Sequence, residues 1–441
     1  MSRNRPARNS LTYIGVAAIQ RGAPFLLLLV LAALVPVAEF GQFAVLASIY
    51  GLLASAATFG MESVAFRGFF TYDSEDRTAR FYNTLAKFSF AGPLALGVGI
   101  SAVLISSSDK PLNIPVGSVI ATVAGACLFG AGSTVPLALL RARERVVAYV
   151  GVVLPPALIM AGVKFCLCGL FGYGAAGWAV GDLIGGLSAM IIALPFQRRF
   201  LTGRNTSRAD LKEALRIGIP LLPHVLSGWA LNLSDRLVIA AILGTAAAGK
   251  FAFAAQLAMI VTVLAVEINR GVLPMYGRVL QDSNPERLRR VVEIQRIVSL
   301  LLAAGVAVVG TLIVVTLAPM DYRQSAKLIP ILTLASCFYC LYLIPMNHLS
   351  VIAGRTSRMA FITGFSAAMN ITLNIVLLPF AGIAVAAYST LISYFALFAL
   401  TTSYSGNYTG TSWTLRSKMC VGALCTVVVA MVVYTGTLPD A

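Results

Sequence analysis

Charged residues are scarce in this sequence. They make up 11% of its 441 residues, whereas a soluble domain carries about 25%. Hydrophobic residues make up 58%, and the mean hydropathy is +0.85. This balance excludes a soluble globular protein and predicts a polytopic membrane protein, to which domain counts based on chain length do not apply.

The short motifs of enzymes and of ATP-driven pumps are also missing. The sequence has no nucleophile elbow, no G-x-x-x-x-G-K-[ST] loop and no H-E-x-x-H. Its one C-x-x-C, formed by Cys337 and Cys340, has neither a second pair nor histidines at metal spacing. We therefore expect no enzymatic activity, metal site or cofactor, and any transport would have to be driven by ion gradients or by consumption of the product. The basic residues match no nucleic-acid-binding module, so no nucleic-acid partner is expected.

Apolar runs long enough to cross about 30 Å of hydrocarbon occur thirteen times, and each must be a helix because lipid cannot satisfy backbone polar groups. The predicted spans are 11–36, 40–66, 84–107, 115–141, 147–169, 172–196, 215–242, 247–273, 294–318, 326–353, 358–378, 381–403 and 419–437.

The basic residues orient these spans. With the N-terminus in the cytoplasm, 26 of the 33 Lys and Arg residues fall in cytoplasmic segments, 4 in outer connections and 3 inside spans. Since cytoplasmic loops are enriched in Lys and Arg, this split supports both the orientation and the span count. The expected location is a bacterial inner membrane. The two longest loops are expected near 197–214 and 274–293, both in the cytoplasm.

The sequence contains an internal repeat with an offset of 208 residues. EFGQFAVLASIYGLL around Gly41 matches AAGKFAFAAQLAMIV around Gly249, and GYGAAGWAVGDLI around Gly174 matches FAGIAVAAYSTLI around Gly382. Both halves begin and end in the cytoplasm, so the repeat is parallel and its pseudo-two-fold axis lies along the membrane normal. The predicted fold is all-α: two six-helix bundles and a thirteenth, C-terminal helix. The predicted divisions are a lobe at 1–197, a linker at 198–214, a lobe at 215–403 and an additional segment at 404–441.

Several degenerate motifs resemble one known group, the multidrug/oligosaccharidyl-lipid/polysaccharide (MOP) flippase superfamily, and within it the polysaccharide-biosynthesis branch of Wzx-type O-antigen and exopolysaccharide flippases. The motifs are N-S-L at 9–11, F-G-Q-F at 40–43, F-G-M-E-S-V-A-F-R at 59–67, I-G-I-P-L-L-P at 217–223, S-D-R-L-V-I at 234–239, A-G-K-F at 248–251 and N-I-T-L-N-I-V-L-L-P-F-A-G-I-A-V-A-A at 370–387. The resemblance covers nearly the whole chain, although a thirteenth helix departs from the family's usual even counts.

The resemblance implies a two-lobed, V-shaped transporter that works by alternating access. It would move an undecaprenyl-diphosphate-linked oligosaccharide from the inner to the outer leaflet, with membrane lipid, a polysaccharide polymerase and a chain-length regulator as partners. The alternatives are a cation-coupled multidrug extruder of the same fold and a membrane enzyme such as a polysaccharide polymerase. The enzyme is disfavoured because the chain has no large outer loop to carry catalytic residues.

Four basic residues are candidates for a cavity that binds the diphosphate. Arg21 lies about ten residues into the first span, roughly 15 Å deep, where a charge is costly and is usually kept for function. His224 lies at a similar depth in the seventh span, where Pro220 and Pro223 should kink the helix. Arg236 and Lys164 lie in the outer parts of their spans. The alternatives without a role in cargo binding are interhelical ion pairs or snorkelling for the cations and a buried, hydrogen-bonded imidazole for His224.

Six further residues are candidates for ion coupling or gating. Asp182 lies mid-span and either pairs with Lys164 or carries a proton or sodium ion. Asp235 precedes Arg236 in the S-D-R motif. The remaining four, near the cytoplasmic ends of the second helix of each lobe, either form a gate between lobes or anchor the interface: Glu62, Arg67, Glu267 and Arg270.

Overall fold

The computed structural model describes residues 27–28, 30–72, 74–106, 111–282, 285–349, 356–405 and 413–437. Twelve helical segments within these ranges are long and apolar enough to cross a membrane. They coincide one for one with the second to thirteenth predicted spans, while most of the first span, 11–36, and Arg21 within it lie outside the described residues. The prediction of an all-helical, multi-pass membrane protein is confirmed.

The described helices are named in chain order. They are α1 (Val37–Ala56), α2 (Met61–Thr71), α3 (Glu75–Ser106), α4 (Val116–Ala142), α5 (Val146–Lys164), α6 (Gly174–Thr202), α7 (Arg208–Gly218), α8 (Leu222–Leu243), α9 (Thr245–Asp282), α10 (Pro285–Leu317), α11 (Ile329–Asn347), α12 (Thr356–Ala381), α13 (Ala384–Ser405) and α14 (Leu415–Gly436).

Short non-α segments interrupt or extend these helices. A π-helical segment, Phe165–Leu170, continues α5, and 3-10 segments lie at Pro111–Asn113, Ile219–Leu221 and Met320–Leu328. The segment Ile219–Leu221 separates α7 from α8 beside Pro220 and Pro223, where the sequence predicts a kink. Proline removes a backbone hydrogen bond, so the chain changes helix type there instead of running straight.

The expectation of two long cytoplasmic loops was wrong. Helix α6 continues to Thr202 and α7 begins at Arg208, while α9 continues to Asp282 and α10 begins at Pro285. The charged residues of these segments therefore extend the helices beyond their apolar parts. Apolarity marks the membrane-spanning part of a helix and gives no signal for where its hydrogen-bonded turns end.

The chain divides into two compact units, Met1–Trp229 and Ala230–Ala441. In the first unit the deeply buried central helix is α4, and in the second it is the segment Met320–Asn347, which contains α11. An offset of 208 residues places these two segments over each other, so the repeat read from the sequence relates the centres of both units. The predicted lobe boundaries at 197 and 215 stay a prediction.

Small residues bring α4 and α6 together. A Cβ atom added at Gly125 of α4 would collide with the backbone of Asp182, and one added at Gly186 of α6 would collide with the backbone of Gly125. Glycine at both positions lets the two backbones touch, as is common where membrane helices pack. This contact fixes the height and rotation of Asp182.

The outer surface of both units is apolar. Val98, Val147 and Phe380 are 71%, 86% and 86% exposed. With twelve apolar helices among the described residues, such side chains form the surface that lipid covers. In the second unit, α14 packs against α10, and Trp413, just before α14, lies 4.7 Å from the Arg296 guanidinium.

Candidate functional site

The first unit contains a cavity of about 260 Å³ between its membrane-spanning helices. Its wall is largely apolar and includes Leu27, Leu28, Ala47 and Met160. Its polar lining comes from four side chains on three helices: Tyr50, Lys164, Trp178 and Asp182. We call it the first cavity.

Lys164 and Asp182 form a buried ion pair at this cavity. The Lys164 Nζ lies 2.6 Å from Asp182 Oδ1, and the two residues are 5% and 0% exposed. Thr122 of α4 donates a hydrogen bond of 3.0 Å to the other carboxylate oxygen. Each carboxylate oxygen therefore has a donor, which is what a charge needs to persist in an apolar surrounding.

Trp178 fixes the other side of the lysine. The Lys164 Nζ lies 3.9 Å from the centroid of the Trp178 ring, and Phe43 stacks on that ring at 5.0 Å. A cation over an aromatic face is attracted by the ring quadrupole, most strongly when water is excluded. Gly181 makes room for the lysine stem, because a Cβ there would collide with the Lys164 side chain.

The second unit contains a smaller cavity of about 40 Å³, which we call the second cavity. It is lined by Asp235 and Arg236 of α8, Thr390 and Tyr394 of α13, and Met259 of α9, among others. Asp235 and Arg236 are 3% and 4% exposed, so both charges are buried.

Neutral polar groups hold the two charges of the second cavity. Asp235 accepts hydrogen bonds from Asn374 at 2.5 Å and from Thr390 at 3.0 Å, and Asn374 accepts one from Ser389 at 2.5 Å. Arg236 donates to the Asn232 carbonyl oxygen at 2.6 Å. The carboxylate and the guanidinium thus each have a partner on a neighbouring turn or helix, as buried charges require.

The two cavities occupy equivalent positions in the internal repeat. Adding 208 to five residue numbers of the first lining gives five of the second. The pairs are Leu27 with Asp235, Leu28 with Arg236, Ala47 with Ala255, Tyr50 with Ala258, and Asp182 with Thr390.

Each cavity holds one carboxylate, one cation and a hydroxyl that donates to the carboxylate, but the carboxylate comes from different helices. In the first cavity it is Asp182 of α6, and in the second it is Asp235 of α8, to which Thr390 donates from the position equivalent to Asp182. The repeat therefore preserves the site while exchanging the elements that carry its charges.

The remaining predicted residues lie elsewhere. Glu62 forms an ion pair with Arg141, and Glu267 forms one of 2.7 Å with Arg270, each within its own unit. Arg67 is exposed. His224 lies in the first turn of α8, half-buried and outside the linings of both cavities, and Arg21 lies outside the described residues. The gating role of the two glutamates stays a prediction.

Sequence analysis missed the neutral residues that surround the buried charges of both cavities. Thr122, Trp178, Asn374, Thr390 and Tyr394 carry no charge, so a search for charges inside spans passes over them. The sequence did contain a signal for Asn374. An amide in an apolar helix costs free energy unless it is hydrogen-bonded, and Asn370 precedes it by about one turn.

Comparisons with solved structures give one fold. A lipid II flippase described as MurJ in an inward closed conformation is similar over 96% of this chain and 93% of that one, with a TM-score of 0.67 and 14% identity. An inward-facing multidrug resistance MATE family transporter of the MOP superfamily is similar over 95% and 99%, with a TM-score of 0.61 and 17% identity. A MOP superfamily transporter from Pyrococcus furiosus is similar over 95% and 97%, with a TM-score of 0.58 and 16% identity.

Comparison at the level of sequence identifies the family. No curated protein sequence matches the chain. The model of the family described as "Polysaccharide biosynthesis protein" matches residues 7–279, which is more than half of the chain. The chain therefore belongs to the polysaccharide biosynthesis protein family, and its fold is the one seen in the MurJ flippase and in MOP superfamily transporters.

Proposed function

We propose that the protein flips an undecaprenyl-diphosphate-linked oligosaccharide from the inner to the outer leaflet of a bacterial plasma membrane by alternating access. The cargo would be used for surface polysaccharide. The observation that carries the proposal is the pair of repeat-equivalent cavities, each lined by a buried carboxylate and a buried cation among apolar spans. Charges at such depth are costly and mark transport paths. The family match and the flippase fold agree with this function.

Lys164 is the proposed phosphate-binding group among the described residues of the first unit. Its ammonium already lies at the wall of a 260 Å³ cavity, held by one carboxylate and one aromatic face. Uptake of a proton by Asp182 would leave the ammonium free for a phosphate oxygen, and loss of that proton would reverse the exchange. Arg21, by its depth in the first span, is the second proposed ligand of the diphosphate.

Asp235 is the proposed coupling carboxylate of the second unit. Its two oxygens are bonded to Asn374 and Thr390, which also carry oxygens suited to a small hard cation. Either a proton or a sodium ion at Asp235 would change its attraction for Arg236, its neighbour at the same cavity.

A second candidate function is cation-coupled multidrug extrusion. Each cavity contains a buried carboxylate, which suits a cationic drug as well as a coupling ion, and the fold is shared with a MATE multidrug transporter. The net charge of the bound cargo separates the two functions: the flippase binds an anion and the extruder a cation.

The deciding experiment deletes the gene and measures surface polysaccharide, lipid-linked oligosaccharide in the inner leaflet and efflux of a cationic dye. We expect loss of polysaccharide, accumulation of the lipid-linked precursor and unchanged efflux. Intact polysaccharide with lost efflux would replace this function by the extruder.

Complementation of the deletion strain with variant genes tests whether Lys164 and Arg21 bind the cargo. Lys164→Gln is expected to lower export by roughly 10- to 100-fold, since it removes a charge-assisted hydrogen bond to the phosphate. Lys164→Arg should restore part of the export. Arg21→Ala should likewise lower export, and Arg21→Lys should restore part of it. Lys212→Gln, which removes an exposed lysine of α7, is the matched control and should export normally. Normal export by Lys164→Gln at equal protein level would remove Lys164 from the binding site.

A further inference from the structure

Three arginines converge at one end of the first unit. Arg143 and Arg145 lie in the short connection between α4 and α5, and Arg199 lies in the last turn of α6. All three line a cavity of about 160 Å³, whose other walls are apolar: Pro136, Leu139, Leu140, Pro195 and Phe196. No carboxylate is part of this lining.

The charges of this cluster are not neutralised. Nearby basic residues have acidic partners, since Arg141 pairs with Glu62 and Arg80 lies 3.1 Å from Asp210. Among the described residues, Arg143, Arg145 and Arg199 form no ion pair. Glu144 lies between the first two and lines an adjoining open cavity, to which Arg143 and Arg145 also contribute, but it forms no ion pair with either.

The three guanidinium groups repel one another. Burial lowers the pKa of Arg143, and the positive charges of Arg199 and Arg145 lower it further. Aromatic rings hold two of the side chains in this arrangement: the Arg143 guanidinium lies 5.9 Å from the Phe69 ring and that of Arg199 4.5 Å from the Phe200 ring. An anion in the cavity would relieve the repulsion that the fold imposes.

The position of the cavity decides which anion fits. It lies where three membrane-spanning helices end, which is the depth of lipid headgroups, and loop charges predict this end to be cytoplasmic. Arginine binds phosphate oxygens through two parallel hydrogen bonds. Pro195 and Phe196 beside the arginines are exposed and continue into the lipid-facing surface, where an acyl chain would lie.

We propose that Arg143, Arg145 and Arg199 form a binding site for the phosphate group of an anionic membrane phospholipid, with Pro195 and Phe196 contacting its acyl chains. This site is separate from both membrane-embedded cavities and is occupied by resident lipid whatever the transported cargo.

The test measures binding of dioctanoyl phosphatidylglycerol to the full-length protein in detergent by native mass spectrometry. The triple variant R143Q/R145Q/R199Q is compared with R198Q/R204Q/R208Q, which removes three exposed arginines outside the lining on the same segment of the chain. The site variant is expected to bind the lipid roughly 30- to 100-fold more weakly, and the control within about threefold of wild type. Thermal melting checks that both are folded, and the single variant Arg145→Gln replaces the triple if it is not.

Three results would overturn the proposal. Equal losses in the two triple variants would show that only overall charge attracts the lipid. Binding of dioctanoyl phosphatidylcholine as tight as that of phosphatidylglycerol would remove the need for an anionic headgroup. Inorganic phosphate that binds through the same arginines as tightly as the lipid would make free phosphate the ligand, whereas weak phosphate binding together with a loss of lipid binding in Phe196→Ala supports a lipid.

Discussion

At the scale of single residues, the main finding is that the first unit buries a complete ion pair, whereas the second buries Asp235 and Arg236 among neutral polar partners. Lys164 and Asp182 have side chains that are 6% and 0% exposed, whereas the pair of Arg80 with Asp210 has side chains that are 39% and 10% exposed. The free energy of a buried pair depends on both members, because removing one leaves an uncompensated charge in an apolar surrounding. In the pair of Arg80 with Asp210, the arginine side is exposed, so water can substitute for the lost carboxylate.

This difference predicts the outcome of a double-mutant cycle on stability. Lys164→Met and Asp182→Asn alone should each destabilise the first unit by about 3 kcal/mol, and the double variant by clearly less than their sum. The measurement is reversible unfolding of the purified protein in detergent. The cycle on Arg80→Met and Asp210→Asn is the control, with an expected coupling below about 1 kcal/mol. Equal coupling energies in both cycles would contradict a dry environment for Lys164.

At the scale of helices, the first cavity depends on the contact between α4 and α6. Gly125 and Gly186 let the two backbones meet beside Asp182, and Thr122, about one turn before Gly125, then reaches the carboxylate. Apolar composition predicted both helices, but only their packing shows which turn of α4 faces Asp182. The position of the ion pair is therefore a property of the helix pair.

Adding a side chain at this contact should separate the helices. Gly186→Val is expected to destabilise the protein by about 1–3 kcal/mol, the usual range for overpacking, and to weaken export through displacement of Asp182. Melting temperature and the export assay measure the two effects. Gly151→Ala and Gly162→Ala, at helical glycines of α5 with open space around the missing side chain, are the controls and should be neutral or slightly stabilising. A Gly186→Val protein as stable as these controls would show that the contact is loose.

At the scale of the whole molecule, the number of spans fixes which side of the membrane each connection reaches. The thirteen predicted spans and the predicted cytoplasmic N-terminus would place the connection after α13 in the cytoplasm and the end of α14 outside. The basic residues Arg416 and Lys418, at the start of α14, agree with that orientation. The apolar length of α14 and its packing against α10 fit a helix that crosses the membrane.

Reporter fusions test this arrangement. A green fluorescent protein joined after Ser405 should fluoresce, and alkaline phosphatase joined after Thr437 should be active, because the first folds inside the cell and the second outside. Exchanging the reporters is the control and should abolish both signals. Activity of the same reporter at both sites would show that α14 does not cross the membrane.

The sequence by itself determined the class, the twelve spans that lie within the described residues, the repeat and the charged residues that line both cavities. Apolar run length is a local property that fixes membrane helices because lipid offers backbone groups no partner. A charge inside such a run is conspicuous for the same reason, and so Lys164, Asp182, Asp235 and Arg236 were found.

Tertiary structure alone decided which residues meet. Lys164 contacts both Asp182 and Trp178, Glu62 pairs with Arg141, and the first cavity proved equivalent to the second only after both linings were known. These contacts depend on the rotation and crossing of helices, which are set by packing of small side chains such as Gly125 and Gly186 against distant parts of the chain. Hydropathy is insensitive to such packing, because a rotation of a fully apolar helix leaves its composition unchanged.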